Sequence, residues 1–404
     1  MSEKPIFTDR TRIETYETCP RKRWWLFEVG GRGLEPVRLV AWPLLTGSLI
    51  HKGIEMVLKG TPLAPAIYHL QREYEDAVRD YLDALAEEAR PTEAAEFREN
   101  LDLVEALVRG WIAVGLPRLL ADYEILAIEQ EGQATFLVDG CEIALLTRSD
   151  LIVKRLTDGV PLLVNFKSVA DPSSNWREQW RYDVQTFSEV LAVEQQLGEK
   201  LGGVIVEGLV KGKRLDYPQG SGQWYFNSPL THCWYRSGEA ELGTPEWAPR
   251  YEWVCAEPHG RCPGGATHRL GKGFRKVRVS EAYPGGVEAW LAYLLGTDRE
   301  LVEQQFLQLP PILRSDYDID EWRTSALPRE VEIHRAAALA DAAEGVERLR
   351  LLRRSFPKHT AHGNCLRPSK CAAFELCWGT AAEEPLLSGF QWRVPNHPAE
   401  VSER

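Results

Sequence analysis

The sequence has no apolar run approaching the ~20 residues that a membrane span requires, so no membrane partner is expected. Its opening, MSEKPIFTDR, lacks the apolar core of a signal peptide, and the expectation is a cytoplasmic protein. There is no internal repeat and no low-complexity tract. There is no GxxxxGK[ST] phosphate loop, so the chain is not itself a helicase. A positive charge balance is also missing: the net charge is −11. Exposed charges are screened beyond ~8–10 Å, so nucleic-acid contact would need a local basic track. Three clusters offer one: Arg21-Lys22-Arg23, His268 to Arg278, and Arg348 to Lys358. Each reads equally as a solvated face.

What is present is a 404-residue chain, 44% hydrophobic and 26% charged. Those are the proportions of a soluble globular protein, and the length allows one elaborated domain or two or three lobes. Eight cysteines occur with nothing arguing for export. A reducing compartment favours metal ligation or ordinary buried thiols over disulfides.

Apolar spacing predicts helices from about Thr46, over 66–90 and over 95–120. The period then changes to short Ile-, Leu- and Val-rich runs at 123–130, 134–138, 141–147, 150–155 and 161–167. Asp139-Gly140 and Asp158-Gly159 are hairpin turns between them. A helix at 176–197, a strand at 203–209 and helices at 285–307 and 329–355 follow. Residues 211–283 shift to Gly, Pro, Trp and scattered charge. The tail after 380 is expected to be irregular.

Asp150 and Lys167 stand on neighbouring strands within apolar context, and residues 165 and 167 share a face. Polar groups facing inward from apolar strands are costly unless paired or bound to a metal. Phosphodiester hydrolysis needs such a set: acidic oxygens hold a divalent cation, and a lysine beside it orients water or steadies the transition state. The alternative is a surface hairpin with scattered polar residues.

The order of these elements resembles the PD-(D/E)XK nuclease superfamily, in particular its RecB/AddB-like and CRISPR-associated exonuclease-like branch. Gly47-Ser48-Leu49-Ile50-His51 is similar to the helical G-x-x-x-H. Asp150 fits the Asp ending one strand, Asn165-Phe166-Lys167 the (D/E)-x-K, and Gln185 the Q-x-x-x-Y. The resemblance implies a restriction-endonuclease-like α/β fold, a mixed sheet flanked by helices. It implies His51, Asp150 and position 165 as ligands of Mg2+ or Mn2+, Lys167 as the catalytic lysine, and Gln185 as a residue orienting DNA or water. Two positions depart from the pattern. Residue 165 is Asn, and Glu189 stands where the Tyr belongs, with Tyr182 one turn before Gln185. Asn keeps an oxygen but loses the charge that magnesium and manganese favour, so weak metal binding and low activity are expected of the chain as it stands. Either Asp was replaced for structural work, which the intactness of the other elements favours, or the site is naturally degenerate. On this reading Asn165→Asp raises metal-dependent cleavage strongly.

Cys365, Cys371 and Cys377 lie six apart, and Cys19 sits far upstream in ETCPRKRWW. Four thiolates suit an iron–sulfur cluster. The resemblance implies a [4Fe–4S] cluster on all four, stapling the N-terminal segment to the C-terminal helices. Zinc competes, because His359 and His362 are close. Cys255, His259, Cys262 and His268 form a second zinc-like spacing that equally reads as free residues in a loop.

Fourteen tryptophans are mostly core. Trp24 and Trp25 beside Arg21 and Arg23, and Trp176 and Trp180 beside Arg177, Arg181 and Tyr182, are candidates for a single-strand track. Packing of Trp176 and Trp180 on the sheet is the rival reading.

The expected layout is a helical region at 1–121, a nuclease core at 122–210, an insertion at 211–283, C-terminal helices with the cysteine triad at 284–380, and a tail at 381–404. The expected function is metal-dependent cleavage of single-stranded DNA or DNA ends, in repair, recombination or phage DNA processing. A helicase or recombination protein is a candidate partner. A non-catalytic DNA-binding or scaffold subunit, and an iron–sulfur redox protein with no DNA role, are the alternatives.

Overall fold

The structure, a computed structural model, describes residues 5–37, 42–83, 90–169, 172–211, 286–296, 302–303, 305–359, 365–366, 370–395, 397 and 400. Within the expected insertion it also describes short strands at 213–216, 223–226, 235–236 and 275–276. Cys255, His259, Cys262, His268 and His362 lie outside the described residues, as does most of the basic run from His268 to Arg278.

A six-stranded mixed sheet forms the centre. Strand β1 (Ile6–Asp9) runs into helix α1 (Arg10–Thr18), where the Asp9 side chain caps the Arg12 N–H. The short strand β2 (Leu34–Pro36) and three long helices follow: α3 (Trp42–Leu58), α4 (Leu63–Asp83) and α5 (Arg90–Gly110). A short helix α2 (Pro20–Arg23) lies between α1 and β2, and α6 (Leu116–Asp122) leads into the sheet.

The four short runs expected between 123 and 155 are two long strands, β3 (Tyr123–Val138) and β4 (Cys141–Arg155), paired antiparallel along their length. The turn between them has Asp139 at φ 48° and Gly140 at φ 77°. Positive φ at both central residues is the two-residue geometry that matches strand twist, which is why Asp-Gly marks it. β4 pairs antiparallel with β5 (Pro161–Val169), and β5 pairs parallel with β6 (Val204–Val210). The helix expected at 176–197 is two: α7 (Ser174–Gln179) and α8 (Val184–Leu197), the second capped by Asp183.

Because side chains alternate along strands buried on both faces, β4 and β5 feed two cores. Leu151, Val153, Leu162, Val164 and Phe166 meet Ile50, Ile54, Leu107 and Trp111 of the N-terminal helical layer. Ile152, Leu163 and Val204 meet Val190 and Val193 of α8 on the other face.

A further cluster joins the two ends of the chain. Trp24, Trp25, Val29 and Leu34 pack with Ile333, Ala337, Leu352, Phe356 and Leu376. The tail is less irregular than expected, because the strand Phe390–Trp392 pairs with β2. Arg21 and Arg23 are buried here. The Arg21 side chain donates to Phe356 O, and Arg23, 2% exposed, lies between Glu28 and Glu330. Both belong to the joint between the ends, which takes them out of the exposed DNA track expected for them. Among the described residues no helix is long and apolar enough to cross a membrane.

Candidate active site

β4 changes neighbours partway along one edge. Residues 143–146 pair with β1 and residues 151–154 pair with β5, so 147–150 pair with neither. Asp150 closes this gap, and β5 parts from β4 just beyond it, at Asn165. A fork in a sheet places side chains of both strands beside unpaired backbone, where a polar centre can form.

Asp150 Oδ2 accepts from the Phe166 N–H at 2.6 Å, and Oδ1 lies 3.5 Å from His51 Nδ1. Burial raises the proton affinity of Asp150. His51, Lys167 and the Phe166 N–H outweigh it, so the carboxyl sits below its ordinary pKa and is ionised. The glycine of the G-x-x-x-H segment has a local reason: a Cβ on Gly47 would fall 2.9 Å from Ser168 Oγ. An Ala there needs Ser168 to rotate, and anything larger pushes α3 off β5. One turn along, His51 packs edge-on to Phe166, whose ring lies 4.8 Å from that of Trp111.

Asn165, 1% exposed, donates from Nδ2 to Glu189 Oε2 at 2.8 Å, while its Oδ1 has no partner. Lys167 Nζ donates to Gln185 Oε1 at 2.6 Å and sits 5.4 Å from the centre of the Trp180 ring. Burial lowers the Lys167 pKa, and Asp150 and Glu189 oppose that. Gln185 Nε2 donates to Glu189 Oε1 at 2.5 Å, and Arg10 donates to the same Gln185 Oε1 that Lys167 uses. Burial pushes Glu189 up to about 7 against the pull of Lys167 and the two amides.

Arg10 and Glu129 escape a reading of the sequence, and Glu189 shows in it only as a departure from the pattern. Arg10 arrives because β1 lies along β4 and α1 starts at its end. Glu189 enters as a hydrogen-bond partner of two site amides. Glu129 belongs to β3 between Ile128 and Gln130, whose partners Leu151 and Ser149 flank Asp150. It holds φ 49°, a conformation unusual for a non-glycine residue within a strand. Burial, with Asp150 and Glu55 adding repulsion, pushes it up to about 7. The visible signal for Glu129 was an acid inside the run ILAIEQ; nothing local marks Arg10.

Among the described residues no three His, Cys, Asp or Glu side chains already converge as a metal cage. The donor set at the fork still fits a divalent cation. It offers an ionised carboxylate, an imidazole and the bare Asn165 Oδ1. A buried oxygen without a partner costs about 1–3 kcal/mol, and a cation that Asn165 helped to hold would offset that cost.

Of the expected track, Arg177 and Tyr182 are exposed beside the site. Trp180 is 7% exposed and packs on Val206 and Leu309, and Trp176 lies against it at 5.5 Å between centroids. Gly208 gives Trp176 room, since a Cβ there would meet its ring at 2.8 Å. Both tryptophans therefore support the sheet edge, as the rival reading held, and Trp180 backs Lys167.

At the joint between the chain ends, Cys19 and the triad Cys365, Cys371 and Cys377 lie near enough to act on one another in pairs. Cys377 feels Cys19 and Cys371, and Cys371 feels Cys19 and Cys365. Burial first, then the neighbouring thiols, pushes Cys377 up to about 12. Arg21 and Lys358 oppose that, and Lys22 opposes the rise that burial gives Cys371. His359 turns Nδ1 to Thr18 O at 2.8 Å.

No curated protein matches the sequence. The sequence pattern of the PD-(D/E)XK nuclease superfamily matches residues 10–377, a span that holds the fork, α8 and all four clustered cysteines. By this match over most of its length, and with a mixed α/β sheet that fits it, the chain belongs to the PD-(D/E)XK nuclease superfamily.

Proposed function

We propose that this chain is a DNA exonuclease acting on single strands or ends, with its centre at the fork of β4 and β5. The carrying observation is the convergence there of ionised Asp150, His51, the bare Asn165 Oδ1 and Lys167. His51, Asp150 and Asn165 would hold Mg2+ or Mn2+. The chemistry such an ion supplies is an activated water and neutralisation of phosphate charge. Lys167, anchored by Gln185 and backed by Trp180, offers a fixed N–H donor to the attacking water or to a phosphate oxygen. Arg10, beside Gln185, offers a second cation to the same phosphate. Exposed Arg177 and Tyr182 supply charge and a ring face at the approach.

End-labelled linear and covalently closed circular single strands separate the polarity-bound reading from an internal one. Linear strands are expected to be degraded in the presence of Mg2+ or Mn2+ and circles to survive. Equal loss of both would remove the requirement for an end.

We further propose that Cys19, Cys365, Cys371 and Cys377 hold a [4Fe–4S] cluster. Their mutual approach supports it, because such a cluster takes four thiolates. Protein purified without oxygen is expected to carry iron and acid-labile sulfide, both lost in Cys371→Ser. Zinc in their place would refute the cluster.

A further inference from the structure

The superfamily pattern calls for a carboxylate at position 165, and Asn165 has none. A neutral amide leaves Asp150 as the one carboxylate that β4 and β5 bring to the fork, set against the charge of Lys167. α8 alters that count. Glu189 is buried at 2% exposure on its inner face and takes the Asn165 amide at 2.8 Å. It stands where the pattern places a tyrosine.

We propose that Glu189 supplies the metal site with the second carboxylate that position 165 lacks, while Asn165 Oδ1 stays as a neutral oxygen ligand. The inference rests on the nuclease reading above.

The orientation of Asn165 carries the argument. An amide has a donor end and an acceptor end. Glu189 accepts only from the donor end, and this leaves the buried Oδ1 without a hydrogen-bond partner. A carboxylate has about four lone-pair positions, and two amide donors, Asn165 Nδ2 and Gln185 Nε2, occupy two of those of Glu189. Lone pairs therefore remain for a cation. With Glu189 included, the buried set Asp150, Glu189 and Lys167 is net anionic when all three are ionised, as a divalent ion requires.

The pairing is also specific to Asn. Aspartate at 165 would set two carboxylates at the same 2.8 Å and remove the only donor between them. Asn165 and Glu189 thus read as a matched exchange of charge between strand and helix. On this account Asn165→Asp alone adds no cleavage, against the expectation from the sequence.

The experiment is Mn2+ binding to the purified full chain, followed by calorimetry and by the electron-paramagnetic signal of free Mn2+. Four proteins are compared: the parent, Glu189→Gln, the exchange Asn165→Asp/Glu189→Gln, and Asp150→Ala. Glu189→Gln keeps an amide partner for Asn165 and is expected to fold. Its Mn2+ affinity is expected to fall about 10–100-fold. The exchange variant restores a donor–acceptor pair with the charge on the strand, and it is expected to recover parental affinity. Unchanged affinity in Glu189→Gln, with loss in Asp150→Ala, would overturn the role of Glu189 and leave the nuclease centre standing. A folded exchange variant that fails to recover would also overturn it. A parent that binds no Mn2+ would remove both readings.

Discussion

Lys167→Ala is expected to lower kcat for DNA cleavage by about 10²–10³-fold, with DNA affinity little changed. Lys167 is the one site cation held by packing on several sides. Its Nζ is bonded to Gln185 at 2.6 Å, faces the Trp180 ring, and lies within the fields of Asp150 and Glu189. A donor fixed in this way needs no reorganisation when negative charge develops at phosphorus, and that is the condition under which one group contributes most. Burial lowers its pKa, and the two carboxylates oppose that. Methyl-capped substitutes therefore miss the effect, and Lys167→Met should resemble Lys167→Ala. The check is single-turnover cleavage beside equilibrium DNA binding. Loss of binding in parallel with loss of rate would make Lys167 a DNA anchor rather than a catalytic group.

The second large effect lies in the joint between the chain ends. Arg23→Ala is expected to destabilise the protein by about 3–5 kcal/mol, because removing one partner of a buried ion pair leaves the other uncompensated. Arg23 Nη2 meets Glu330 Oε2 at 2.8 Å, Arg23 Nε meets Glu28 Oε1 at 2.7 Å, and Thr8 Oγ1 donates to Glu330 Oε2 at 2.7 Å. One guanidinium thus ties β1, α2 and the helix Asp316–Ala342 together. The network adds a pH dependence. Burial raises the Glu28 pKa, but Arg23 and Arg12 outweigh it and hold the group below 4.5. A depressed carboxylate contributes stability above its unfolded pKa and loses it as pH falls through the folded value. Stability should therefore decline below pH 4.5 in the parent, and less so in Arg23→Ala. Denaturant unfolding across that range is the measurement. An unchanged midpoint would show that Arg23 is replaceable by water.

Much of the core was legible because its signals are local. The Asp139-Gly140 turn follows from the sterics of two positive φ values, and the strands around it follow from their Ile, Leu and Val content. His51, Asp150, Lys167 and Gln185 were also visible as candidates, through resemblance to a pattern carried by two helices and two strands, and the fold sets His51 beside Asp150 and Gln185 beside Lys167. The hidden part depends on long-range placement. Arg10 reaches the site only because β1 pairs with β4 across more than 130 residues. Glu189 looked like a departure from a pattern until its contact with Asn165 gave it a partner. Arg21 and Arg23 looked like a basic track, because a sequence shows charge and not the buried carboxylate or carbonyl that meets it. Trp180 misled for a similar reason: a tryptophan beside arginines reads the same on a surface and under one.

The central claim is that the fork of β4 and β5 is a metal-dependent nuclease centre in the chain as it stands, with Asn165 in place. Its most direct test is cleavage of linear single-stranded DNA by the parent chain and by Asp150→Ala, titrated with Mn2+ and then with EDTA. Metal-dependent cleavage by the parent, abolished by EDTA and by Asp150→Ala, is the expected result. No cleavage by the parent at any metal concentration, or cleavage that survives in Asp150→Ala, would contradict it.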